Sequence, residues 1–100
     1  MAKLIALYKQ PGDKKKFDDH YFGTHTPLVK EIPGLRRTEV TKIVGAPAGE
    51  SPFYLMCEMY FENEETMNRA MKSKEMKACS KDLGTFAGEL VTMMIGETAK

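Results

Sequence analysis

Three short runs constrain what this chain can become: KLIALYK at 3–9, FYLMCEMYF at 53–61 and LVTMMI at 90–95. Each has the length of a strand, and each is apolar at odd and even positions alike. A strand with one wet face alternates apolar and polar residues, because successive side chains point to opposite sides of the sheet. These runs do not alternate. Leu4, Ala6 and Tyr8 oppose Ile5 and Leu7, while Tyr54, Met56 and Tyr60 oppose Phe53, Leu55, Cys57, Met59 and Phe61. A sheet made from them needs cover on both faces.

The intervening segments supply half of that cover. Pro11, Gly12 and Asp13 make a turn, with Asp13 placed to cap a following helix. Phe17, Tyr21, Thr24 and Leu28 form that helix's apolar stripe, and Pro33-Gly34 ends it. Residues 35–44 read as a second strand, with β-branched Thr38, Val40, Thr41, Ile43 and Val44. The segment GAPAGESP at 45–52 reads as a hairpin loop. Asn63 is placed to cap a second helix carrying Met67, Ala70 and Met71 that stops near Ser73, and Met76, Cys79 and Leu83 mark a further helical stripe. The order βαββαβ predicts one α+β, ferredoxin-like domain over residues 1–100: a four-stranded antiparallel sheet with helices on one face. Helices in that arrangement leave the other face bare. An apolar bare face marks an interface, so the chain is expected to form a homodimer, two sheets packing face to face to close a dimeric α+β barrel.

Charge and cysteine usage narrow the functional classes. The net charge of +1 supplies no basic field for nucleic acid or an anionic membrane. No apolar run reaches the length of a membrane span, and the apolar part of MAKLIALYKQ is too short for a signal-peptide core, which points to the cytoplasm. Cys57 and Cys79 lack any CxxC or Cys/His ligand spacing, and read as free buried thiols. Without a GxGxxG or Walker sequence, no flavin, nicotinamide or phosphate cofactor is expected.

Titratable chemistry concentrates in FDDHYFGTHTPLVKEIPGL, residues 17–35, which holds both histidines. Asp18, Asp19, His20 and His25 look at first like a metal cluster. On an α-helix, however, residues five apart lie about 140° around the axis, so His20 and His25 should diverge, and zinc-binding helical pairs are spaced i, i+4. No metal is expected; Asp18 and Asp19 read as solvated and His20 as a surface flank. His25, four residues after Tyr21, falls at the edge of the stripe facing the sheet. Desolvation there would hold its imidazole neutral and usable as a base near pH 7. Pro27 cannot continue the hydrogen-bond ladder, so the helix should kink near Gly23 and restart at Thr26-Pro27. The alternative role for His25 is structural, satisfying a carbonyl that Pro27 frees. Tyr8 and Tyr60 offer phenols to a pocket or pack in a core. Arg36 and Arg37 read as solvated, Glu58 is expected to pair with Arg37 or Lys42, and the eight methionines suit either an adaptable cavity or the core.

The segment HYFGTHTPLVKEIPGL, preceded by LYKQPGDKKKFD, resembles the EthD family, named for ethyl tert-butyl ether degradation. The likeness includes Tyr8 at the end of the first strand, His25 followed by Pro27-Leu28-Val29, the Ile32-Pro33-Gly34-Leu35 turn, and the run from Lys74-Glu75 through Asp82-Leu83 to Phe86-Ala87. The resemblance implies a dimeric α+β barrel and a loosely defined oxidoreductase role in degradative systems. Its wider superfamily includes cofactor-free monooxygenases, cyclases and decarboxylases. Carried over by position, it marks His25 and Tyr8 as the candidate catalytic residues. Phe17, Tyr21, Leu28 and Tyr60 are the candidate substrate-binding residues, around a pocket between the first helix and the sheet.

Two functional classes use such a pocket. One is a cofactor-free enzyme in which His25 is the base or proton shuttle and Tyr8 stabilises an oxyanion on a small apolar or aromatic metabolite. The other is a non-catalytic binding or accessory protein of a degradative pathway. Burial of His25 with only backbone partners would weaken the first.

Overall fold

The computed structural model describes residues 1–99. Strands β1 (Ala2–Lys9), β2 (Arg37–Lys42), β3 (Phe53–Phe61) and β4 (Val91–Glu97) form one sheet in the order β2-β3-β1-β4. Every neighbouring pair is antiparallel. The helices are α1 (Lys14–His20), a π-helical turn at Tyr21–His25, α2 (Thr26–Val29), α3 (Glu64–Met71) and α4 (Lys74–Phe86). This is the expected ferredoxin-like α+β arrangement, with β2 shorter at both ends than the expected strand 35–44.

Local chemistry sets the helix starts. The Asp13 carboxylate accepts the Lys16 N–H at 3.0 Å, and the Asn63 side chain accepts that of Thr66 at 2.8 Å. An interruption of helical winding at Lys72-Ser73 lets the Ser73 hydroxyl start α4 by accepting the Met76 N–H at 3.1 Å. Gly34 turns the chain towards β2 with φ of +78°, a conformation that disfavours side chains. A Cβ there would also lie 2.7 Å from the Thr66 methyl.

Alternation along β1 assigns the two faces. Ala2, Leu4, Ala6 and Tyr8 are buried under the helices, and they pair with Phe61, Met59, Cys57 and Leu55 of β3. Phe17, Tyr21, Val29, Ile32, Met67, Ala70 and Cys79 complete this core from the helical layer. The opposite face carries Ile5 and Leu7, set against Glu58 and Met56 of β3 and Met94 and Thr92 of β4. Within one chain its apolar residues are only partly covered, so β1 is buried on one side rather than two.

Two expectations about β3 are corrected. The register shifts between Tyr8 and Lys9, an irregularity of the bulge type that turns Tyr54 towards the helices, on the same side as Leu55. There its hydroxyl donates to Asp18 at 2.9 Å and its ring packs edge-on against Phe17. Asp18 also accepts from Lys42 at 2.6 Å, so it is tied to the sheet rather than solvated. Glu58 pairs with Lys3 of β1 at 2.7 Å, not with β2, because antiparallel register sets Ile5 beside it and brings the Lys3 stem up the same face.

Candidate functional site

The broken helix begins with a missing donor. In an uninterrupted α-helix Pro27 would leave the Gly23 carbonyl unpaired and crowd it with its ring. The chain avoids this by widening the turn before it. The Thr26 N–H bonds back to the Tyr21 carbonyl, five residues earlier, and the Thr26 hydroxyl donates to the same oxygen at 2.9 Å. Helical winding then resumes at Thr26, as the Thr-Pro pair implied.

This wider turn changes where the histidines point. Five residues make close to one full turn of π-helix, so His20 and His25 converge instead of diverging. Both reach one carboxylate on α4. His20 Nε2 lies 2.8 Å from Asp82 Oδ1, and His25 Nδ1 lies 2.9 Å from Asp82 Oδ2. The arithmetic that separated them assumed α-helical winding throughout. Phe86, one turn beyond Asp82, stacks on the His20 ring with centroids 4.4 Å apart and tilts against His25 at 5.3 Å.

The two imidazoles differ in access to water. His25 is buried at 5% exposure, whereas the His20 side chain is 31% exposed. Burial pushes the His25 pKa below its ordinary 6.5, although the bond to Asp82 and its charge oppose this; His20 adds to the lowering. Burial alone would raise Asp82, but hydrogen bonds from both histidines outweigh it and hold the carboxyl below its ordinary range. An ionised carboxylate only accepts, so His25 must carry its proton on Nδ1. That leaves Nε2 as an acceptor; among the described residues no group hydrogen-bonds it.

His25 lines a cavity of about 40 Å³ between helices and sheet. Tyr8 of β1 and Tyr21 bring phenols, and Cys57, Cys79 and Ser80 add small polar atoms. The rest of the wall is apolar: Leu4, Ala6, Val29, Ile32, Met59, Met76, Leu83 and Met93. Burial raises the pKa of both phenols strongly, so each stays a protonated donor near neutral pH. It raises the Cys57 thiol too, and pushes Cys79 up to about 11, so neither is a ready nucleophile. A dry engineered cavity that holds benzene is about 150 Å³. This one accepts an aromatic ring only if side chains move, and its wall includes Met76 and the 44% exposed Met93, both flexible thioethers.

Among the sequence candidates, the structure brings His25, Tyr8 and Tyr21 together at this cavity. Phe17 stands behind them, edge-on to Tyr8 and stacked with Tyr21, and Leu28 packs against the core; neither lines the wall. Tyr60 is on the other side of the sheet, paired with Lys3, its ring under Arg37 and its hydroxyl on Glu39. It is therefore removed from this site. The expected stripe omitted Asp82, which sits beside Leu83 at the margin of the Met76–Cys79–Leu83 stripe. An acidic residue at the edge of an apolar stripe was the available signal.

An antiparallel βαββαβ sheet, a broken first helix and a buried imidazole in an apolar cavity define a ferredoxin-like α+β protein with an internal polar site. The model of the EthD domain matches residues 9–89, and the chain belongs to the EthD family. A crystal structure of an EthD family protein from Bacillus halodurans is 60% identical, covers 99% of each chain and superposes with a TM-score of 0.97. An uncharacterised 11.0 kDa protein from the thcB-thcC intergenic region of Rhodococcus erythropolis is 31% identical, over 94% of this chain and 91% of that one. A protein from Thermobifida fusca, described as dimeric, ferredoxin-like and of unknown function, shares the fold at 12% identity with a TM-score of 0.71, covering 97% of this chain and 90% of that one.

Proposed function

We propose that the protein is a cofactor-free enzyme that moves a proton on a small apolar or aromatic metabolite bearing a carbonyl or phenolic oxygen. The observation carrying this reading is His25, buried, neutral and fixed by Asp82 so that Nε2 is free to accept. Tyr8 and Tyr21 are protonated donors on the same wall, suited to an oxygen on which charge develops. An oxidative outcome would need dioxygen to take electrons from the deprotonated substrate, or a partner that carries the redox centre.

In this reading two copies associate through the half-covered sheet face, where Ile5, Leu7, Met56 and Met94 adjoin. Two free buried thiols suit a reducing compartment, which supports the cytoplasm. No described helix is long and apolar enough to cross a membrane. The small cavity supports a second reading, an accessory protein that holds a ligand without turning it over.

Ligand-observed NMR with catechol, benzaldehyde and acetoacetate, followed by turnover assays on any binder, tests both. His25→Ala is expected to weaken binding about tenfold or more and to abolish turnover. Binding without turnover in the wild type selects the accessory reading. Equal binding and turnover in wild type and variant would remove His25 from the site.

A further inference from the structure

The cluster at Asp82 contains one more imidazole than an orienting carboxylate needs. In the simplest arrangement a carboxylate holds one histidine, fixes its tautomer and stabilises its imidazolium. Here both oxygens are engaged, at 2.8 Å by His20 and at 2.9 Å by His25. A single negative charge can neutralise one imidazolium, not two. The rings also differ in what a proton costs them. His25 has lost its hydration, whereas His20 keeps an edge in water, between Phe86 and the Lys15, Lys16 and Asp19 surface.

We infer that His20 is a positioning residue that competes with His25 for Asp82, so that protonating the outer imidazole keeps the inner one neutral. With His20 charged, the His20–Asp82 pair is neutral overall and His25 faces no net negative partner. With His20 neutral, the whole carboxylate charge bears on His25 and favours its imidazolium. The remaining titratable groups around His25 do not supply this control. Tyr8 from β1, Tyr21 from the π-turn, Cys57 from β3 and Cys79 from α4 are all held in their neutral forms by burial. Lys42 is occupied with Asp18 and Tyr54 on the β2 side of the same helical layer. The coupling is a property of the folded chain; its importance for turnover rests on the proposed role of His25.

The chain has only two histidines, so their ring resonances give an unambiguous NMR titration. His20→Gln keeps a donor to Asp82 but removes the titratable charge, and is expected to raise the His25 midpoint by about half a pH unit or more. His20→Lys places a permanent cation at the carboxylate and is expected to leave the midpoint at or below the wild-type value. A purely structural role for His20 would not separate these two substitutions in opposite senses. In the wild type, the His25 resonances are expected to show two inflections, a readout that needs no variant. An unchanged or lowered His25 midpoint in His20→Gln, or a single inflection in the wild type, overturns the inference. These measurements use ligand-free protein, so they stand or fall separately from the binding and turnover tests of His25→Ala.

Discussion

The same strands build two unlike surfaces. On the helix-covered face the two central strands find their cover inside the chain: Leu55 and Phe61 are fully buried, and Tyr8 nearly so, while Val40 of β2 and Met93 and Ile95 of β4 stay exposed at its edges. On the other face, alternate residues of β1 and β3 make a patch of Ile5, Leu7 and Met56 that runs into a charged chain of Lys3, Glu58, Tyr60 and Glu39. The covered face is shaped around one polar cluster, whose carboxylate is shared by two imidazoles. The open face uses its polar groups differently: Lys3 and Glu58 remain partly hydrated beside an apolar centre. The first face completes a core and lines a cavity, and the second is left half-covered within one chain.

Neighbouring residues on β3 separate the two most sharply. Leu55→Ala removes a side chain of 0% exposure and is expected to cost about 2–5 kcal/mol in denaturant unfolding. Met56→Ala, one residue along and on the open face, is expected to leave unfolding of dilute protein nearly unchanged. Its loss should appear as a weaker dependence of the unfolding midpoint on protein concentration. Equal costs for both, independent of concentration, would mean that the open face is not an interface.

A smaller effect on folding, with a clear effect on assembly, is expected at Leu7, which is paired with Met56 in the register. Leu7→Lys sets a charge at the centre of the apolar patch, and burying an unpaired ammonium is costly. Light scattering at micromolar concentration should show the wild type at twice the chain mass and Leu7→Lys at the monomer mass. A wild-type monomer would end the barrel reading.

Much of this contrast was legible in the sequence, and the reasons it was incomplete are local. Non-alternating runs declared that both faces need cover, and Asp13, Asn63 and Thr26-Pro27 marked where helices begin. The placement of Tyr54 was missed because strand parity is lost at an irregularity that no residue type announces. Tyr60 kept its parity, yet parity alone does not say which face the helices cover. The histidines were separated by an angle valid only for α-helix; a single π-turn, forced by Pro27 and fastened by Thr26, reversed the conclusion. Asp82 lies 57 residues from His25, a separation that helical periodicity cannot bridge.

The mildest test concerns acid. His25 has a folded-state pKa below its ordinary 6.5, so between those two values the unfolded chain binds a proton that the folded chain refuses. Stability is therefore fully present above pH 6.5 and should decline as pH falls towards the folded-state value. Asp82 acts in the same direction lower down: its depressed pKa contributes stability above its ordinary 3.8, lost as pH falls through the folded value. Urea unfolding at a series of pH values should thus show two descending steps, the upper one assigned by its disappearance in His25→Gln. The upper step reports the covered face alone, because the open face contains no histidine. If that step persists in His25→Gln, or if stability rises as pH drops from 6.5, then the inner imidazole is not held neutral by the fold, and the covered face loses the property that distinguishes its polar cluster from the hydrated pairs on the other side.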